Sequence, residues 1–216
     1  MASGGISGFE TRQLVPAAFC GFRSWQFREL GGQPVGVQSV TYHYDWVPGV
    51  NTATCMRRTT AGVLYGAPMC KGLVSIDCGC GFWAFTGSPQ QWFGGEGPRH
   101  PNGGYAWTCG TVEGYGRVVV GPKGFRCEKA IVTAFVRPRV FVSSWGPTDE
   151  ETHVFGDDPD MVMQGRHAAA RLKAERAYTF LREAFPITPI FESVEEMLTV
   201  VELSDTTSLL AEPEAS

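Results

Sequence analysis

The 216-residue chain contains no run of 18 or more apolar residues, so no transmembrane helix is expected. Its first residues, Met-Ala-Ser-Gly-Gly-Ile-Ser-Gly, offer neither a basic region nor an apolar stretch, so no signal peptide is expected. Histidine is scarce. His43, His100, His153 and His167 are scattered along the chain and suggest no shared site. There is no Gly-x-Ser-x-Gly elbow, no Walker A loop and no dinucleotide fingerprint. The glycine-rich run 110–116 lacks both the Lys-Ser/Thr pair and the required glycine spacing. Serine hydrolysis and nucleotide chemistry are therefore unsupported. Zinc deaminases need His-x-Glu followed by Pro-Cys-x-x-Cys, and the chain has neither. From residue 187 to 216 there is no Lys or Arg, against seven acidic residues.

What is present begins with cysteine. The chain has seven, an odd number that fits a reducing cytoplasm better than a disulfide framework. Four of them, Cys55, Cys70, Cys78 and Cys80, fall within 26 residues. Four thiolates complete a tetrahedral zinc site, and a closed site is structural because catalytic zinc keeps a position for water. Gly79 between Cys78 and Cys80 lets the backbone aim both sulfurs at one centre. His43 or His100 is the candidate if one ligand is a histidine. Asp77 could support the site from outside. Cys20, Cys109 and Cys127 read as small apolar core residues.

Charge is divided along the chain. Residues 1–147 carry 13 Lys/Arg against 7 Asp/Glu, and residues 148–216 carry 5 against 15. The net charges are thus +6 and −10. A basic body with an acidic appendage suggests a polyanionic partner, a protein partner, or self-masking of the basic face. Arg57, Arg58 and Lys71 lie beside the thiols. Arg117, Lys123, Arg126 and Lys129 lie along one segment, followed by Arg137 and Arg139. Alternation puts Arg126 and Glu128 opposite Phe125 and Cys127. Aromatic residues lie close by, including Trp83, Trp92 and Trp107, and suit stacking on bases. Strand-spaced aromatics also build cores. His100 and Trp92 sit in a Gly/Pro-rich loop over 86–104, the one place where an enzymatic site is conceivable.

Secondary-structure signals are strongest in two regions. Residues 19–142 read as short strands split by glycine and proline. They include 22–27, 37–44 and a hairpin over 116–136 that turns at Gly121-Pro-Lys-Gly124 and stops at Pro138. Gly31-Gly-Gln-Pro34 and Val47-Pro-Gly-Val50 read as turns, the second suiting type II. Asp158-Pro159 reads as an N-cap with proline at the first helical position. The helix it opens runs to Phe185, with Leu172, Phe180, Leu181, Ala184 and Phe185 as its apolar positions. Ile187-Thr-Pro-Ile-Phe191 reads as an edge strand. Ser193-Val-Glu-Glu196 is a capping box for a helix to about residue 203.

The expected fold is α+β: a β-rich, zinc-stapled body, either a partly closed antiparallel sheet or a barrel, with C-terminal helices. Its parts are a flexible 1–14, the body over 15–147, a helical part over 148–203 packed on it, and a disordered acidic tail over 204–216.

Several segments together resemble a group of actinobacterial and actinophage proteins that implies no particular activity. They are Gly21-Phe-Arg-Ser-Trp25, Trp46-Val-Pro-Gly-Val-Asn51 leading to Cys55, Ala67-Pro68, Cys78-Gly-Cys-Gly-Phe-Trp-Ala84, and Gly114-Tyr-Gly-Arg-Val-Val-Val-Gly-Pro-Lys-Gly-Phe-Arg126. In that group a His often precedes a Cys-x-Cys near the position of Ala67-Pro68, whereas here Cys70 follows it. The resemblance implies a bacterial or phage-infected cytoplasm. The expected role is a non-enzymatic regulatory protein with structural zinc that binds a protein partner, including one already on DNA. Direct nucleic-acid binding through Arg57, Arg58, Lys71, Arg117, Lys123, Arg126, Trp92 and His100 is the alternative.

Overall fold

The computed structural model describes residues 13–15, 18–40, 44–53, 57–59, 62–64, 74, 80–87, 106–140, 142, 154 and 158–206. At 13–15, 57–59 and 62–64 it describes the backbone alone. The strands are β1 (Gln13–Val15), β2 (Phe19–Leu30), β3 (Gln33–Ser39), β4 (Asp45–Trp46), β5 (Val50–Thr52), β6 (Arg57–Thr59) and β7 (Gly62–Leu64). They continue with β8 (Phe82–Phe85), β9 (Ala106–Gly121), β10 (Gly124–Val136), β11 (Arg139–Val140) and β12 (Ile190–Phe191). The helices are α1 (Pro159–Ala184) and α2 (Val194–Leu198).

The hairpin of β9 and β10 is the centre of the fold. β-branched runs fill both strands, and Gly121 faces Gly124 across a Pro122-Lys123 loop. Gly124 has φ +147 and a Cβ there would lie 2.1 Å from the Ala84 carbonyl oxygen, so glycine is required. β2 pairs antiparallel with β9, from Phe19↔Gly114 to Gln26↔Trp107. β8 pairs with β10 and meets β2 at Phe22↔Phe85. The sequence β2–β9–β10–β8–β2 thus closes on itself as an antiparallel ring, the partly closed sheet expected. β3 extends β2 through a two-residue turn at Gly31 and Gly32, whose φ values of 59 and 73 suit a type I′ turn. β4 follows on β3. β5 and the parallel β12 line β10, β1 and β11 add to β9, and β6 pairs with β7 in a separate hairpin.

Strand β3 covers 33–39, where a strand over 37–44 was expected. The two glycines turn the chain early enough for Gln33 to pair at once with Leu30. Pro189 behaves as its chemistry requires: it cannot donate to a ladder, and its carbonyl accepts from the Phe135 N–H at 2.9 Å.

Helix α1 begins as expected. The Asp158 carboxylate accepts from the Asp160 N–H at 2.9 Å, with Pro159 in the first turn. Ala177, Leu181 and Phe185 form one buried stripe, and Phe180 meets Phe27 edge-to-face at 6.3 Å. Leu172 departs from the expected apolar face: it is 53% exposed, on the side of the helix turned away from the sheet. Ser193 caps α2 by accepting from the Glu196 N–H at 3.1 Å. The Glu196 carboxylate returns to the N–H of Glu192, one residue before the cap. This helix ends at Leu198, short of the expected 203. A last turn follows, in which the Val201 N–H donates to the Met197 carbonyl at 3.0 Å, and Val201 and Leu203 pack against the sheet from outside the helix.

Two cores sandwich the ring. Inside it, Trp25, Phe27, Val37, Trp46, Phe82, Phe125 and Phe135 meet the α1 stripe. Outside it, Phe22, Cys109, Ala134 and Val136 are covered by Met197, with Val194, Leu198, Val201 and Leu203 around them. Each large side chain so buried contributes roughly 1.5–3 kcal/mol. The expected disorder from residue 204 does not hold at its start. Ser204 donates its N–H to the Cys20 carbonyl at 2.9 Å, and its hydroxyl accepts from the Cys20 N–H at 2.9 Å. Thr206 is buried, with its hydroxyl 2.7 Å from that of Thr86.

Candidate functional site

Strand β2 turns Phe19, Gly21, Arg23, Trp25 and Phe27 toward the interior, because alternate residues share a face. An arginine therefore stands among aromatic rings. One terminal nitrogen of Arg23 donates to the Trp83 carbonyl. The other donates to the Ser39 hydroxyl at 2.7 Å, which also accepts from the Trp46 indole at 2.9 Å. The guanidinium carbon lies 4.9 Å from the Trp46 ring centre and 6.0 Å from that of Phe82. Both hydrogen-bond acceptors are neutral. Burial pushes the Arg23 pKa down to about 10, so the group stays charged at neutral pH.

Among the described residues, two donors in this interior are sealed and have no acceptor: Arg23 Nε and Trp25 Nε1. Both belong to the inward face of β2, two residues apart, and both side chains touch Trp46. Buried N–H groups without acceptors are uncommon and costly. Cys127 lies in the same interior with its thiol 3.6 Å from the Phe82 carbonyl. Burial pushes its pKa up to about 12, with Arg23 pulling in the opposite sense. Burial does the same to Cys109, also to about 12. Both are buried core thiols, as expected, and are neutral at physiological pH. Cys20 is only half-buried, and burial raises it to about 11.

A second arginine grips the other side of β8. Arg126 faces Trp83 across the strands and holds its guanidinium carbon 5.6 Å from that ring centre. It donates to the Cys80 carbonyl at 2.9 Å. Arg126 does lie on the face opposite Phe125 and Cys127, but it is 1% exposed. Its assignment to an exposed basic binding face is therefore corrected: the charge is spent inside the protein on the segment leading into β8.

Of the other expected site residues, the structure describes a part. Cys80 is half-buried and not in a disulfide. Cys55, Cys70 and Cys78 lie outside the described residues, as do His43, His100, Trp92 and Lys71. So does most of the 86–104 loop. Among the described residues there is no group of three or more His, Cys, Asp and Glu placed to hold a metal ion. Arg57 and Arg58 lie in β6, where the backbone alone is described. Arg117 is exposed, and its Nε stands 3.8 Å from Glu128. Lys123 is half-buried in the β9–β10 turn. His167 is an exposed residue of α1, as expected.

The interior donors escaped the sequence reading because a cation between Phe22 and Trp25 resembles a break in alternation. The signal was there: a period of two from Phe19 to Phe27 puts Arg23 in line with Trp25. No protein-family model, curated protein or solved structure matches the chain.

Proposed function

We propose that the chain is a non-enzymatic, zinc-stapled accessory protein that acts by binding a protein partner. One observation carries the choice of partner. Basic side chains of the body are engaged by the chain's own acids. Arg28 is 3.3 Å from Asp45, and Arg137 reaches Glu175 at 2.8 Å and Glu192 at 3.0 Å while stacking on Tyr178. Such exposed pairs contribute little stability. They nonetheless satisfy cations that phosphates would otherwise meet. The acidic C-terminal part thereby covers Arg137 of the body, and Asp45 of the body itself meets Arg28. At the β4–β5 turn Val47 and Val50 are 51% and 52% exposed, an apolar tip suited to a protein surface. On the resemblance to actinobacterial and actinophage proteins, the role is that of a phage-type regulator in the bacterial cytoplasm.

The test compares the wild-type chain with Val47→Asp/Val50→Asp as bait in a bacterial host extract treated with nuclease. A partner retained by the wild type and lost from the variant is expected. In parallel, DNA and RNA are titrated at rising salt. Tight nucleic-acid binding that weakens steeply with salt would replace this reading with direct recognition by the basic body.

The zinc is assigned to Cys55, Cys70, Cys78 and Cys80 as a structural staple. Support comes from Cys80, whose carbonyl is held by a buried guanidinium, since a four-thiolate zinc centre is anionic and favours a nearby cation. Elemental analysis of protein purified without chelator is expected to give about one zinc per chain. Less than about half an equivalent would count against the site.

A further inference from the structure

We propose that Arg23 and Trp25 form a carboxylate-binding site inside the ring of strands, with Ser39 as its third polar group. The argument starts from two orphan donors. Arg23 Nε and Trp25 Nε1 are both sealed from solvent and both lack an acceptor among the described residues, on one face of one strand. A single sealed donor can be a packing compromise. Two on adjacent inward positions, one belonging to a cation, describe a place built to receive an acceptor.

Charge selects the acceptor. Arg23 brings one positive charge, and both of its acceptors, the Trp83 carbonyl and the Ser39 hydroxyl, are neutral. A monoanion balances that charge, whereas a phosphate dianion would leave a buried negative charge of its own. A planar carboxylate also matches the planar guanidinium and can accept from several donors at once. The rings of Trp46, Phe82 and Phe135 nearby favour a carboxylate with an apolar body. Arg23 as a whole keeps some accessible surface although its Nε is sealed, so the ligand's approach is along that side chain. The Trp46–Ser39–Arg23 hydrogen bonds hold the guanidinium in place beforehand, which lowers the ordering cost of binding.

The test uses the full chain labelled with 15N. The Trp25 indole N–H resonance is identified by its loss in Trp25→Phe, a change that keeps an aromatic ring and removes the donor. Acetate and benzoate are titrated against chloride and phosphate at matched ionic strength. The expected result is a saturable shift of that resonance with the carboxylates, stronger with benzoate. In Arg23→Gln the affinity is expected to fall about tenfold or more, as a lost charge-assisted bond implies. If Arg23→Gln does not fold, Arg23→Lys keeps the charge, removes the Nε donor and is expected to bind more weakly. An indole resonance that no carboxylate moves would assign the two donors to buried water and overturn the proposal. So would a shift that chloride reproduces, or one unchanged by the arginine substitution. None of these outcomes depends on whether a protein partner is found.

Discussion

Gly110→Ala is expected to cost about 3 kcal/mol or more, a large share of the stability of an ordinary domain. The new Cβ would lie 2.0 Å from the Ala134 carbonyl oxygen, 2.8 Å from its carbon and 2.9 Å from the Phe135 Cα. All three obstacles are backbone, so no side chain can rotate out of the way. The clash falls where the β9–β10 register shifts between Val132 and Ala134, and relief requires the two central strands to part. Denaturant midpoints measure the loss. Gly49→Ala is the control: nothing lies within 4 Å of its Cβ, and only the positive φ of +79 is strained. Its cost is expected at about 1–2 kcal/mol. A Gly110→Ala protein as stable as the wild type would contradict the close approach at this bulge.

Phe135→Ala is expected to lose about 3–5 kcal/mol. Phe135 is fully buried, with its ring 5.2 Å from Trp25 and 5.1 Å from Phe185 between centres. It joins the interior face of the sheet to the last turn of α1, so truncation opens a cavity at the seat of the helix. Leu172→Ala on the outward side of that helix is expected to stay within about 0.5 kcal/mol. Chemical denaturation followed by far-UV and near-UV circular dichroism reads both. A loss below about 1 kcal/mol for Phe135→Ala would mean that α1 does not pack as described, because cavity costs at sealed sites are larger.

The legibility of the fold divides along a physical line. Where local chemistry decides the outcome, the sequence could be read directly. Glycines bracket the β9–β10 turn, Asp158-Pro159 opens α1, and Ser193 caps α2. Where burial depends on residues distant in sequence, the reading weakened. β2, β9 and β10 are covered on both faces, so their apolar residues do not alternate cleanly and the inward direction is hidden. Arg126 looked like part of a basic surface because its cover is tertiary. Arg23 was passed over for the same reason. The meeting of Phe22 with Phe85 closes the ring, and no local pattern announces it. The end of α2 falls short of Leu203 because Val201 and Leu203 reach their apolar partners on the sheet from beyond the helix, which tertiary packing and not local pattern decides.

The bonds between Cys20 and Ser204 have a consequence for solubility. In β2, Cys20 directs its N–H and C=O away from β9, onto the margin that β8 and β3 occupy further along. Ser204 completes that margin. Without it, the N–H and C=O of Cys20 would be offered to any neighbouring molecule, the hazard that unpaired strand margins create for aggregation. A chain shortened to residue 199 is therefore expected to self-associate at concentrations where the intact chain stays dispersed, as light scattering would register. The C-terminal segment thus acts as a guard against the protein's own copies.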